Sequence, residues 1–223
     1  MNKELIRQGL AKFLIGVIMV MLIVFLPAGT FAYANGWLFM ALLFIPMLIM
    51  GTVMLRKEPE LLKKRLDSKE KESEQKEVVA LSGIMFLAGF ITAGLNFRFG
   101  WLMLPKWAVI IGAVLFLLSY AMYAEVMREN AYLSRTIEVQ ENQEVVSTGL
   151  YGIVRHPMYS ATVMMFLSIP IILGSLISFV IFLIYPIIIA KRIKNEEKVL
   201  EQGLKGYTEY KQKVKHRLIP FIW

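Results

Sequence analysis

The sequence predicts an all-α integral membrane protein with about six transmembrane helices, the last two a tight hairpin followed by a cytoplasmic helical tail. Three observations carry this reading. The 223 residues are 57% hydrophobic with a mean hydropathy of +0.58, more apolar surface than a soluble domain of this length carries. Six apolar runs recur at 13–31, 37–55, 78–95, 107–123, 158–173 and 175–190. The 25 Lys and Arg residues collect in alternate connections between those runs.

The first four runs hold 17 to 19 residues, close to the ~20 that span a bilayer core. The last two hold 16 each, separated by Gly174, and reach about 24 Å at ~1.5 Å per residue. Such a pair either extends into its flanks or thins the bilayer locally, and it returns the chain to the side it left. Three Lys and Arg lie in 1–12, eight in 56–77, three in 124–157 and nine in 191–223. Against these 23 stand Arg98 and Lys106 in the intervening connections. Positive charge marks the cytoplasmic side. Both termini are therefore expected in the cytoplasm of a multi-pass cell-membrane protein. The first apolar run ends at Ala32-Tyr33-Ala34 and imitates a signal peptide, but it is long for one and is read as a span.

Composition also excludes. A net charge of +8 distributed as topology is no nucleic-acid patch. The absence of cysteine removes disulfides, thiolate metal sites and cysteine nucleophiles. His156 and His216 lie 60 positions apart without metal-ligand spacing, so no metal is expected. Neither phosphate-cradling glycine fingerprint occurs. The loop 56–77 reads as a surface helix broken near Pro59. The segment 125–147 is polar but holds Tyr132, Leu133 and Ile137, enough to dock. The tail from Lys191 reads as helix, with Glu201–Lys205 and Glu209–Lys213 at i,i+4 spacing and interruptions at Gly203 and Gly206.

Chemistry at the helix ends concentrates in three clusters. In the first, Arg155-His156-Pro157-Met158-Tyr159 opens an apolar run. Pro157 suits a first helical turn, where free amides and a positive dipole end face the solvent. The bland alternative is an interfacial anchor, with Arg and Tyr in the headgroup belt. In the second, Arg192 is followed by the adjacent acids Glu196 and Glu197, one of which can turn under the bundle toward vicinal hydroxyls. The bland alternative is a solvated acidic face. In the third, Tyr207 and Tyr210 sit at i,i+3 and can wall an adenine or a cationic sulfur centre. The bland alternative is packing on the bilayer surface.

Taken together, Gly149, Tyr151, Arg155, His156, Pro157, Tyr159, the apolar hairpin, Arg192, Glu196, Glu197, Leu200, Gly206, Tyr207, Tyr210, Arg217 and Pro220 form a pattern. It resembles the isoprenylcysteine carboxyl methyltransferase family and the related bacterial and phospholipid methyltransferases, over about the last 75 residues. The resemblance implies a methyltransferase using S-adenosylmethionine at the cytosolic face. Residues 1–123 are then a four-helix membrane region and 124–223 the cofactor-binding and catalytic region. It implies cofactor contacts from Tyr151, His156, Pro157, Tyr159, Glu196, Glu197, Tyr207 and Tyr210, with one of the two acids on the ribose. Arg155 or Arg192 would pair a carboxylate of the cofactor or of an acidic substrate. The acceptor is expected to be a lipid or prenylated molecule, a carboxylate first among them, reaching the site from the bilayer. Two rival readings are an NADPH-dependent membrane reductase of the sterol or steroid type and a non-catalytic membrane scaffold.

Overall fold

The computed structural model describes residues 3–66, 73–133 and 139–223. Ile137 and the stretch 67–72 of the 56–77 loop lie outside them. The elements in order are α1 (Lys3–Ala28), α2 (Ala34–Lys57), α3 (Pro59–Leu66), α4 (Ser73–Phe99) and α5 (Lys106–Glu129). A single 3₁₀ turn (Gly149–Gly152) follows, then α6 (Pro157–Ile172), α7 (Leu176–Phe182), α8 (Ile184–Gly203) and α9 (Tyr207–Lys213). Among the described residues, five helical stretches are long and apolar enough to cross a membrane: α1, α2, α4 from Lys76, α5, and α7 with α8. The apolar helix α6 has 16 residues, about 24 Å, and is shorter than these. The chain is a multi-pass membrane protein.

Large aliphatic side chains such as Leu26, Ile110 and Ile187 face outward, as they must where the solvent is lipid. The inward faces meet in an aromatic core, with Phe39 5.6 Å from Phe90 and 6.1 Å from Phe116, and Phe90 5.9 Å from Phe182. The break between α7 and α8 falls at Leu183. Its cause is Pro186, which has no N–H for the carbonyl of Phe182 and whose ring crowds that carbonyl.

The hairpin has a specific local cause. Gly174 takes φ +73, and the Ser175 and Gly174 amides donate back to the carbonyls of Pro170 and Ile171 at 2.9 and 3.0 Å. This paired closure with a left-handed residue after the helix is the Schellman stop, which favours glycine. The turn is pinned by the Tyr33 hydroxyl, which donates to the Leu173 carbonyl. The Leu104 amide also donates to Gly174 and the Leu176 amide to Leu102, at 2.9 and 3.1 Å. The α1–α2, α4–α5 and α6–α7 turns therefore meet at one end.

The polar segments meet at the other. Lys12 donates to the Leu66 carbonyl, Lys191 pairs with Glu77 at 2.8 Å, and the tail folds against the start of α6. Two details of the sequence reading change here. The third apolar run ends at residue 95, but α4 continues to Phe99 and buries Asn96, whose side chain accepts from the Leu102 amide at 3.0 Å. Glu201 pairs with Lys211 rather than Lys205, because α8 ends at Gly203 before the i,i+4 turn is complete.

Candidate functional site

The site is built where the start of α6, the polar end of α8 and the tail converge. Pro157 occupies the first turn of α6, as its missing N–H predicts, and is buried. The chain bends at Arg155 before it, and the amides of Arg155 and His156 are left free of the helix. They donate to the carbonyls of His216 and Arg217, each at 2.9 Å. Ser160 Oγ continues the contact by donating to the Leu218 carbonyl at 2.6 Å. Residues 214–218 thus run as a strap beside 155–160.

Arg155 is buried and its guanidinium turns inward. Its Nε donates to Glu197 Oε1 at 2.8 Å, and Nη1 donates to the carbonyls of Val214 and Lys215 at 2.6 and 2.9 Å. Glu197, 3% exposed, also accepts from Arg217 Nε at 2.9 Å and lies 3.3 Å from His156 Nε2. A buried carboxylate is tolerated when its lone pairs are filled in this way. The group is a closed electrostatic knot between α6, α8 and the strap.

The neighbouring carboxylate behaves differently. Glu196 Oε2 accepts from the Tyr159 hydroxyl at 2.5 Å, and that hydroxyl accepts from Arg192 Nε at 2.9 Å. Arg192 and Glu196 stand one turn apart on the same face of α8. Glu197 projects about 100° away, so adjacency in sequence becomes a division of position.

The tail supplies the opposing wall. Gly206, at φ +86, lets the chain reverse after α8 and start α9. Tyr207 and Tyr210 lie with ring centroids 5.8 Å apart, buried with Leu204 and Val214. The Tyr210 hydroxyl donates to the Tyr151 carbonyl at 2.7 Å, and the Tyr151 hydroxyl accepts from Asn130 Nδ2 at 2.9 Å. Tyr151 is held by the 3₁₀ turn, which begins at Gly149 with φ +50. Any side chain there would collide with the Glu129 carboxylate that accepts from the Leu150 amide. The Tyr207 hydroxyl is buried and has no hydrogen-bond partner among the described residues. Burial first, then the Glu197 and Glu196 carboxylates, pushes its pKa well up, so it is a neutral O–H donor.

Between these walls lies a cavity of about 100 Å³. Of the residues marked in the sequence, Tyr151, Arg155, His156, Tyr159, Arg192, Glu196, Tyr207 and Tyr210 line it. Pro157 and Glu197 stand behind it. Tyr132 and Leu133, marked in the sequence only as able to dock, line it too, and sequence reasoning missed Asn130 and residues 143–146. The amide of Asn130 after α5 and the paired Val145-Val146 were the available signals. Val145 packs against the cluster that holds the α9 tyrosines, and Val146 against the one that holds Tyr151.

A multi-pass membrane protein with a charged, hydroxyl-lined cavity at the polar end of its last helices is the class that fold and site define. Residues 107–205 match the model of the phospholipid methyltransferase family, the family of isoprenylcysteine carboxyl methyltransferase-like membrane methyltransferases. The match runs from α5 through α8. No curated protein matches the chain.

Proposed function

We propose that the protein is an S-adenosylmethionine-dependent methyltransferase. Its acceptor is a lipid or lipid-modified carboxylate, and it acts at the cytoplasmic face of the cell membrane. The observation that carries this reading is the buried, unpartnered Tyr207 hydroxyl in a cavity shared with Glu196, Tyr159, His156 and Arg192. A buried donor without an acceptor calls for a ligand that supplies one. The donor set fits the methyl donor. Glu196 is placed to accept from a ribose diol, the two α9 tyrosines offer faces to an adenine or a sulfonium, and Arg192 pairs a carboxylate. When bound, S-adenosylmethionine supplies an electrophilic methyl group. Arg155, engaged with Glu197 and two carbonyls, is a positioning residue on this reading.

A carboxylate acceptor is ionised at neutral pH and needs no general base, so the chain's contribution is alignment and exclusion of water. Ligand clefts hold ~300–1,000 Å³. Admitting the cofactor therefore requires the cavity of about 100 Å³ to widen. The cytoplasmic assignment rests on the 23-to-2 division of Lys and Arg.

Equilibrium binding to detergent-purified protein tests the cofactor: S-adenosylhomocysteine binds and NADPH does not. The reverse result replaces the methyltransferase with a reductase. Acceptors sharing one carboxylate head with tails of increasing length test the substrate. Affinity rises with the tail, and a flat response removes the lipid from the proposal.

A further inference from the structure

A second cavity, of about 480 Å³, lies between α1, α2 and α3, outside the family-matched segment. Phe13, edge-on to Phe44 at 5.5 Å, closes its lower end. Toward the opposite membrane face α1 and α2 stay in contact, with Phe25 4.8 Å from Trp37, so the pair splays toward α3. Leu5 and Phe13 form one wall, Leu48, Gly51 and Leu55 the other, and Leu66 of α3 lies across the top. The wall offers little to a polar guest. Thr52 is already engaged, donating to the Ile49 carbonyl at 2.8 Å. The exception is Lys12, at the boundary where the polar start of α1 becomes its apolar run. Among the described residues its ammonium donates to the Leu66 carbonyl, which uses one of three N–H groups.

We infer that this groove holds one acyl chain of an anionic glycerophospholipid, with the phosphate at Lys12. Apolar space of this size lies within the range of ligand clefts. The flanking turns carry Lys3, Arg7, Lys12, Arg56, Lys57 and Lys63 against Glu4, Glu58 and Glu60, so the rim is positive. Moving a tail from the bilayer into the groove brings almost no hydrophobic gain, since lipid is as apolar as leucine. Selectivity therefore resides in the head group, where a nearby Lys contributes an attraction of roughly fivefold in affinity. None of the groove's lining residues lines the cavity beside Tyr207, so the lipid held here occupies a separate site.

The test uses Gly51→Leu, because a Cβ at Gly51 meets nothing within 4 Å and a longer side chain fills the groove. Gly83→Leu, equally open but on α4 and outside the groove, is the control. Both replacements favour helix. Detergent-purified full chain is incubated with phosphatidylglycerol or phosphatidylcholine of identical tails and examined by native mass spectrometry. Wild type and Gly83→Leu retain one phosphatidylglycerol, at about fivefold preference over phosphatidylcholine. Gly51→Leu, with unchanged circular dichroism, loses it, and Lys12→Gln retains lipid without the preference. Equal retention by Gly51→Leu, or no head-group preference in wild type, overturns the inference. So does lipid-free self-association of wild type that Gly51→Leu abolishes.

Discussion

The two adjacent carboxylates give the sharpest test, since Glu196→Gln and Glu197→Gln change one charge each at nearly constant shape. Glu197 accepts from Arg155 at 2.8 Å and Arg217 at 2.9 Å and is almost inaccessible. Neutralising it leaves the buried Arg155 guanidinium without its counter-charge, a change that costs about 3–5 kcal/mol. The Arg217 contact adds little, because that side chain is 30% exposed. For a chain of this length the loss corresponds to a drop in Tm on the order of 10 °C. Glu196 carries a 23% exposed side chain and a single bonded hydroxyl, so its replacement leaves Tm nearly unchanged. It removes a charge-assisted acceptor from the cavity instead, worth about 1.5–3 kcal/mol, or about 10- to 150-fold in S-adenosylhomocysteine affinity. Thermal unfolding and calorimetric titration of both variants in one detergent separate the effects. A Glu197→Gln protein as stable as wild type, or a Glu196→Gln protein that binds normally, refutes the division.

Tyr207→Phe removes an unpartnered hydroxyl. The ligand-free protein should hold or gain stability while S-adenosylhomocysteine affinity falls by about 2- to 12-fold; lost stability without lost affinity contradicts the cavity assignment. Burial raises the phenol pKa of Tyr207 and Tyr210 above the 10.0 of an exposed tyrosine, so the folded state binds these protons more tightly than the unfolded. The stability they contribute is complete below pH 10 and declines as pH rises beyond it. Melting curves from pH 8 to 11 should fall more gently for Tyr207→Phe, and parallel curves contradict the burial. Cysteines at the exposed positions Lys106 and Gln202 should label from opposite sides, Lys106→Cys first with an impermeant maleimide outside intact cells. The opposite order reverses the proposed orientation.

The helices were legible because lipid imposes a composition on whatever faces it, and the cation asymmetry separated the two ends before any contact was known. The hairpin was legible at Gly174, since a left-handed stop favours a residue without a side chain. The RHP-x-Y cluster and the acidic pair drew attention as residue types out of place at a membrane edge. Their division of labour was hidden. Arg155 is satisfied by the carbonyls of Val214 and Lys215, and a carbonyl is the same in every residue, so nothing in the tail's composition announces the strap. Asn96, just past the apolar run 78–95, went unmarked because its partners, the Leu102 backbone and the Met103 sulfur, lie in the following turn. Residues 143–146 read as an ordinary polar connection because their role depends on where α9 lies, a long-range fact.

The strap bears on what counts as a folding unit. The family match ends at residue 205, yet the amides of Arg155 and His156, the Arg155 Nη1 and the Ser160 hydroxyl find their acceptors among residues 214–218. A fragment cut at the match boundary would keep the apolar hairpin and its acidic pair but strand those donors at the mouth of the cavity. During synthesis the same dependence holds in time. The two ends of the knot are separated by some sixty residues, and α6 can be threaded into the bilayer well before its first turn has anything to bind. Insertion and site formation are then separate events, the second waiting on a stretch of chain made some sixty residues later.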